Sequence, residues 1–114
     1  MADNSPLVSI ITITRNRASL IHRAIESIQK QTYENFEHII VDGNSDDNTQ
    51  EVVKSYTDAR IKYIKLSQYG PSVQLKAAIE EVKGRYITFL DDDDEYLPTK
   101  IEKQVFLIES LPVE

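Results

Sequence analysis

Five consecutive acids, Asp91-Asp92-Asp93-Asp94-Glu95, are the most chemically loaded stretch of this chain. Adjacent carboxylates repel one another, and each pays a further pKa penalty when partly buried. Directly before them stands the apolar, β-branched run Tyr86-Ile87-Thr88-Phe89-Leu90. An acid cluster at the end of a buried strand needs a counter-charge. Asp91 and Asp93 can turn two carboxylates towards one hard divalent cation, and Mg²⁺ or Mn²⁺ typically takes one or two carboxylates together with substrate phosphate oxygens. A solvated acidic turn is the plainer reading, and the position at a strand end is what argues against it. An EF-hand loop fits less well, although Asp91, Asp93, Glu95 and Glu102 fall at its ligand positions. Tyr96 stands where its sharp-turn glycine belongs, Pro98 interrupts the loop, and a strand precedes it instead of a helix.

Two further groups could do chemistry. Asp42 closes the run Glu37-His38-Ile39-Ile40-Val41 and opens the polar loop Asp42-Gly43-Asn44-Ser45-Asp46. An acid there can accept hydrogen bonds from a ribose or a base; a polar turn into a capped helix would explain the same residues. Arg15 and Arg17 lie in the turn Thr14-Arg15-Asn16-Arg17, where a guanidinium can pair with a phosphate or lie flat on a base. His22 and His38 have no partners at metal-ligand spacing and read as structural or exposed, and Tyr33, Tyr56 and Tyr63 read as packing residues. Neither GxGxxG after the first strand nor GxxxxGK[ST] is present.

The elements that must position these groups alternate regularly. Val8–Ile13 is a β-branched strand, followed by a helix with Ser19 as N-cap and Leu20, Ile21, Ala24, Ile25 and Ile28 at helical spacing. After the Glu37–Val41 strand, Asp47 and Gln50 form a capping-box pattern for a helix through Val52, Val53 and Tyr56. Ile61–Leu66 alternates with Lys62 and Lys65, which places it near a solvated edge. Gly70-Pro71-Ser72 opens a helix with Leu75, Ala78, Ile79 and Val82 on one face and Gly84 as its stop. Pro98 starts a last helix with Ile101, Val105, Ile108 and Leu111 aligned. Alternation of this kind predicts an α/β domain with a mainly parallel sheet covered by helices. Such sheets bind ligands at the carboxyl ends of their strands. Thr14–Arg17, Asp42–Asp46 and Asp91–Glu95 all fall on that rim.

The bulk properties set limits. With 114 residues there is room for one domain, spanning 1–114. The chain has no cysteine, which excludes disulfides, thiolate metal sites and thiol nucleophiles. The net charge of −6 argues against a nucleic-acid-binding surface, and the acid run supplies five of the negative charges. No secretion signal or membrane-length apolar stretch is present, so a cytoplasmic location is expected, with any membrane association peripheral. A phosphotransfer receiver domain also clusters acids at strand ends. It needs an aspartate after its third strand, where this chain has Leu66-Ser67-Gln68.

Four blocks follow in order and at consistent spacing: Val8-Ser9-Ile10-Ile11 with Asn16-Arg17; Gln31-Thr32-Tyr33-Glu34-Asn35-Phe36-Glu37; Ile40-Val41-Asp42 with Ser45 and Asp47-Asn48-Thr49; and Lys83-Gly84-Arg85-Tyr86 through Pro98. From about Leu7 onward the chain resembles glycosyltransferase family 2, the inverting enzymes of the GT-A fold. The resemblance implies a three-layer, Rossmann-like sheet with helices on both faces, in which the first strand neighbours the second and fourth. It also implies a nucleotide-diphospho-sugar donor, a saccharide or lipid-linked acceptor, and a divalent metal (Mn²⁺ or Mg²⁺). Residue by residue, Thr14, Arg15, Arg17, Asp42 and Asp92 would bind the nucleoside, and Asp91 and Asp93 the metal, with Asp93 as the direct ligand. Four positions depart from the family pattern. Gly43 stands where many members have a base-reading aspartate, Arg15 where an aromatic often stacks on the base, Leu75 where many have an arginine (Lys76 is adjacent), and Ile13 in place of a frequent proline. Family members are longer, with acceptor site and general base in the later half. The chain is thus expected to be a truncated, donor-binding half that cannot transfer sugar alone; the alternative reading is a stand-alone metal- or nucleotide-binding module without transferase activity. A sheet edge and apolar surface left exposed in this way favour self-association.

Overall fold

The computed structural model describes residues 5–112. Its four strands are β1 (Val8–Thr14), β2 (Phe36–Asp42), β3 (Ile61–Lys65) and β4 (Tyr86–Phe89); the helices are α1 (Ile21–Gln29), α2 (Thr49–Lys54), α3 (Pro71–Glu81) and α4 (Lys100–Ser110). All strand pairs are parallel and the sheet order is β3-β2-β1-β4. The chain thus builds outward from β1 to β3 and then crosses back to place β4 on the other side of β1. Between β1 and β4 the order reverses, and their carboxyl ends splay around a crevice.

Alternating side chains of β1 and β2 feed two opposite cores. Ile10, Phe36 and Ile40 face α1, α2 and α4, where they pack among Ile21, Ala24, Ile25, Ile28, Val53, Ile101 and Val105. Ile11, Ile39 and Val41 face α3 and meet Ala78. Helices therefore cover both faces, and the two central strands are buried along nearly their whole length, their polar residues included. β3 is the expected solvated edge. β4 has a neighbour on one side only, and Ile87 and Phe89 on it are exposed, so it is a half-open edge strand and not the buried strand its sequence leads one to expect.

Several local expectations are corrected. Ser19 does not cap α1: the helix starts from a backbone turn in which the Leu20 and Ile21 amides donate to Arg17 O, and no side chain caps it. The capping box at α2 does not form either, and that helix ends at Lys54, short of Tyr56. Asp47 Oδ1 accepts from the Thr49 amide and hydroxyl, while Oδ2 accepts from Ala18 N–H across the rim. The buried face of α3 is turned. Gln74 and Ala78 point inward while Leu75 and Ile79 are exposed, because small Ala77 and Ala78 let the helix approach the sheet and Gln74 is drawn in by hydrogen bonds. On α4, Ile101 and Val105 are buried as expected, but Ile108 and Leu111 are exposed.

A polar lock holds the amino end of the sheet. Buried Glu37 accepts from Ser9 Oγ at 2.6 Å and from Lys83 N–H at 2.7 Å, and pairs with Lys62 at 2.9 Å. Ser9 Oγ in turn accepts from Gly84 N–H at 2.8 Å. A Cβ on Gly84 would stand 2.7 Å from Ser9 N and 2.8 Å from Leu7 O, so only glycine permits the chain to enter β4 this close to β1. Burial raises the Glu37 pKa, but the hydrogen bonds from Ser9 and Lys83 and the Lys62 charge outweigh it and hold the carboxyl below its ordinary range.

His38 sits beside this lock, fully buried, with Nε2 2.9 Å from Thr12 Oγ1 and Nδ1 without a hydrogen-bond partner. Burial pushes its pKa down to about 4, with the Asp58 charge opposing only in part. An unfolded imidazole titrates near 6.5, so below that pH the unfolded chain binds a proton that the folded chain refuses. Stability from this group is therefore lost as pH falls from about 6.5 towards about 4. Chemical denaturation across that window should show a shallower pH slope for His38→Gln than for the parent chain; equal slopes would refute the assignment.

Candidate functional site

The rim is assembled from loops that are stitched to one another. Asn16, at φ 55°, adopts the left-handed conformation that asparagine tolerates. Its side-chain oxygen accepts from Asp46 N–H at 2.7 Å and its own amide donates to Ser45 Oγ at 2.8 Å. Asp42 lies beneath, fully buried. Oδ1 accepts from Ser45 N–H at 2.9 Å and from Ser45 Oγ at 2.6 Å, and Oδ2 accepts from the Tyr63 hydroxyl. The sequence places Asp42 correctly at the end of β2, but its carboxylate is engaged inside the protein and forms the floor of the rim. Tyr63, read as a packing residue, also holds that floor. Desolvation and the neighbouring Asp42 push its pKa above the ordinary phenol range.

Gln74 is a component the sequence reading missed. Its amide, 2% exposed, donates to Thr14 O at 2.9 Å and Val41 O at 3.0 Å and accepts from Gly70 N–H at 3.2 Å. One side chain thus ties the ends of β1 and β2 to the loop entering α3. It also explains Gly43, since a Cβ there would lie 2.7 Å from Gln74 Oε1. No periodicity signal could have found it, because its partners are backbone carbonyls of two distant strands.

The acid run is anchored at both ends. Leu90 N–H continues the sheet by donating to Ile11 O at 3.0 Å. Tyr96 is buried, donates its amide to Ser27 Oγ at 3.1 Å and its hydroxyl to Phe89 O. Gln31 donates to Leu97 O at 2.7 Å and accepts from Ile101 N–H at 3.1 Å, and Thr32 N–H donates to Pro98 O at 2.9 Å. The Gln31-Thr32-Tyr33 block therefore fixes where the acid loop ends. Within the loop, Asp94 N–H closes a turn onto Asp91 O at 3.1 Å.

The five acids do not share one environment. Asp92 points into a crevice of about 150 Å³ lined by Thr14, Arg15, Arg17, Tyr69 and Gln74. Arg17 spans its mouth, with Nε 3.9 Å from Asp92 and Nη1 3.9 Å from Asp93. Burial raises the Asp92 pKa, as do the charges of Asp93 and Asp91; the nearby Thr14 hydroxyl and Arg17 oppose it. Thr14 Oγ1 is buried and, although close enough to temper Asp92, makes no hydrogen bond of normal geometry. Asp91 borders a neighbouring cavity with Ile13, Leu75 and Phe89. Arg15 Nε donates to Gly43 O at 3.1 Å, its other end lies 3.5 Å from Asp46, and its guanidinium rests 4.6 Å from the centre of the Tyr69 ring. Thr14, Arg15, Arg17, Asp92 and Asp93 are brought together at the switch point. Asp42 lies under them and Asp91 beside them. Among the described residues no group of three or more His, Cys, Asp or Glu converges as a metal cage.

A sequence model of glycosyl transferase family 2 matches residues 9–114. The chain belongs to this family. It is 40% identical over 107 residues to an uncharacterised glycosyltransferase of Rickettsia prowazekii, covering 94% of this chain and 33% of that protein. It is 40% identical over 105 residues to an Escherichia coli UDP-Glc:α-D-GlcNAc-diphosphoundecaprenol β-1,3-glucosyltransferase, covering 91% of this chain and 42% of that one. Among solved structures it superposes on Staphylococcus aureus TarS in complex with UDP with a TM-score of 0.85 at 26% identity, covering 90% of this chain and 32% of that one. It also matches the Pyrobaculum calidifontis mannosyltransferase PcManGT in complex with GDP-Man and Mn²⁺, with a TM-score of 0.75 at 25% identity over 82% of this chain and 29% of that one. The family-2 chain therefore has the GT-A arrangement of strands, and spans about a third of the length of most of these relatives.

Removing the Gln74 amide takes a hydrogen-bond partner from Gly70 N–H, Val41 O and Thr14 O, of which Thr14 O keeps the Gly43 amide. Gln74→Leu should lower stability by about 3 kcal/mol in urea unfolding. A loss below about 1 kcal/mol would mean that the rim holds without it.

Proposed function

We propose that this chain is the donor-binding part of an inverting glycosyltransferase that moves a sugar from a nucleotide-diphospho-sugar to an acceptor hydroxyl. The observation that carries the reading is Arg17 poised over Asp92 and Asp93 at the β1–β4 switch point, beside the buried Thr14 hydroxyl. Cationic and acidic groups alternate there within one crevice, which suits a ligand carrying both hydroxyls and phosphates. In this reading Asp92 and Thr14 take the ribose, Arg15 lies at the base, and Arg17 releases the acids to pair with the diphosphate. Asp42 acts from below by holding Ser45 and hence the Asn16 loop.

Asp91 and Asp93 would hold the divalent ion, Mn²⁺ or Mg²⁺. Their hard oxygen donors fit such an ion, and two carboxylates without a protein cage match the way these ions share their coordination with substrate phosphates. When bound, the ion supplies charge neutralisation for the diphosphate leaving group. Arg17 makes the same contribution from the opposite side. Transfer also needs an acceptor site and a general base, which we place in the further length that the relatives possess. The names of the E. coli relative and of a Campylobacter jejuni glucosyltransferase include an undecaprenol diphosphate carrier, and a lipid-linked saccharide is our proposed acceptor. No helix among the described residues is long and apolar enough to cross a membrane, so a membrane-borne acceptor would be met from the surface.

Calorimetric titration of the 114-residue chain with UDP, GDP and dTDP, each with and without Mn²⁺, tests the donor reading. Binding is expected only with the metal, and Asp93→Ala should weaken it by at least about tenfold, the loss seen even for groups that merely orient ligands. Binding that ignores Mn²⁺ would sink the metal assignment, and no binding at all would sink the site. Sugar transfer by the chain alone would contradict the division of labour.

A further inference from the structure

The wall on which a base would lie has a feature the donor reading does not explain: it offers flat surface and almost nothing to read an edge with. Gly43 contributes no side chain, and Gln74 fills the room that one would take. The Gly43 amide donates to Thr14 O and its carbonyl accepts from Arg15. The Gln74 amide is spent on Thr14 O, Val41 O and Gly70 N–H. The polar backbone and amide groups on that side are therefore satisfied within the protein. What remains is the Arg15–Tyr69 stack. Its guanidinium is fixed in plane by Gly43 O and Asp46, and the Tyr69 ring beneath it is 64% exposed. Gly70, held by Gln74, and Pro71 at the first turn of α3 fix the loop that carries the ring.

Resting on the donor-site reading above, we infer that Tyr69, backed by Arg15, is the stacking platform for the nucleobase, and that this site tolerates different bases. Stacking on an aromatic ring is insensitive to base identity, since every base has a π-face, whereas discrimination by hydrogen bonding leaves buried partners unpaired when the wrong base enters. The Arg15 guanidinium beside the ring suits the carbonyl oxygens of uracil, thymine and guanine alike. Specificity would then reside in the sugar and acceptor.

The test is the affinity of the chain for UDP, dTDP and GDP, all with Mn²⁺, in the parent and in two variants. Dissociation constants in the parent should lie within about tenfold of one another. Tyr69→Ala should weaken all three by at least about fivefold, the lower end of what a lost base stack costs, and Tyr69→Phe should recover most of that loss. Because Tyr69 is exposed, far-ultraviolet circular dichroism should be identical for all three proteins. A preference wider than about tenfold for one base, or a Tyr69→Ala variant that binds as the parent does, overturns the inference while leaving the donor site standing. Failure of every nucleotide to bind overturns both.

Discussion

Everything on the rim depends on one electrostatic constraint: carboxylates crowd the end of β4, directly beside the central strand, and their repulsion has to be balanced there. Asp92 bears it most, since burial and the charges on either side raise its pKa together. Arg17 is the protein's own answer, but at 3.9 Å to each acid it is a loose one. A tight bidentate pair would be shorter and would fill the crevice. Loose pairing keeps the acids partly compensated while leaving them available to a better partner. For the same reason the loop is pinned at both ends. Leu90 is held to β1 and Tyr96 to α1, so the repulsion cannot be relieved by unravelling the turn.

The opposite end of the sheet uses the reverse arrangement. Glu37 is also buried, yet short hydrogen bonds from Ser9 and Lys83 and a lysine at 2.9 Å hold its charge. Its environment stabilises the charge, whereas that of Asp92 opposes it. The contrast separates a carboxylate held in its charged form by short hydrogen bonds from one whose charge is opposed by burial and by its acidic neighbours. Gly84 and Ser9 bring β4 against β1 at the locked end, and that contact carries the acid run to the switch point.

The fold was legible because its signals are local. β-branched runs at Val8–Ile13 and Glu37–Val41, punctuated by Gly70-Pro71 and Pro98, leave little choice but alternating strands and helices, and the lysines of β3 announce its edge. The misreadings have two causes, partners distant along the chain for Gln74 and competing neighbours close in sequence for Ser19 and Asp47. Gln74 looks like a surface residue until the carbonyls of Thr14 and Val41 are placed above it, and its burial turns α3 so that Leu75 and Ile79 face outward. Ser19 has the right chemistry for a cap but loses to the Arg17 carbonyl. Asp47 is drawn to Thr49 and Ala18 instead of forming a box with Gln50. Asp42 was found as a position, while its tie to Tyr63, twenty-one residues on, is not visible from the sequence around it.

The two ends of the crevice answer to different physics, and this bears on how such a domain diversifies. The acid end is constrained by charge: Asp92, Asp93 and Arg17 balance one another, so changing any one alone leaves a partly buried charge uncompensated. The Gly43 end is constrained by volume, because Gly43 and Gln74 compete for the same space, 2.7 Å apart once a Cβ is added. A change at one requires a change at the other, but neither affects the acids. Side chains on that wall can therefore be exchanged as a linked pair without disturbing the charge balance. Arg15 and Tyr69, stacked on each other across two loops, form a second such pair. On the donor reading, the part of the site that meets phosphate is held fixed by electrostatics. The part that would meet the base is held by packing.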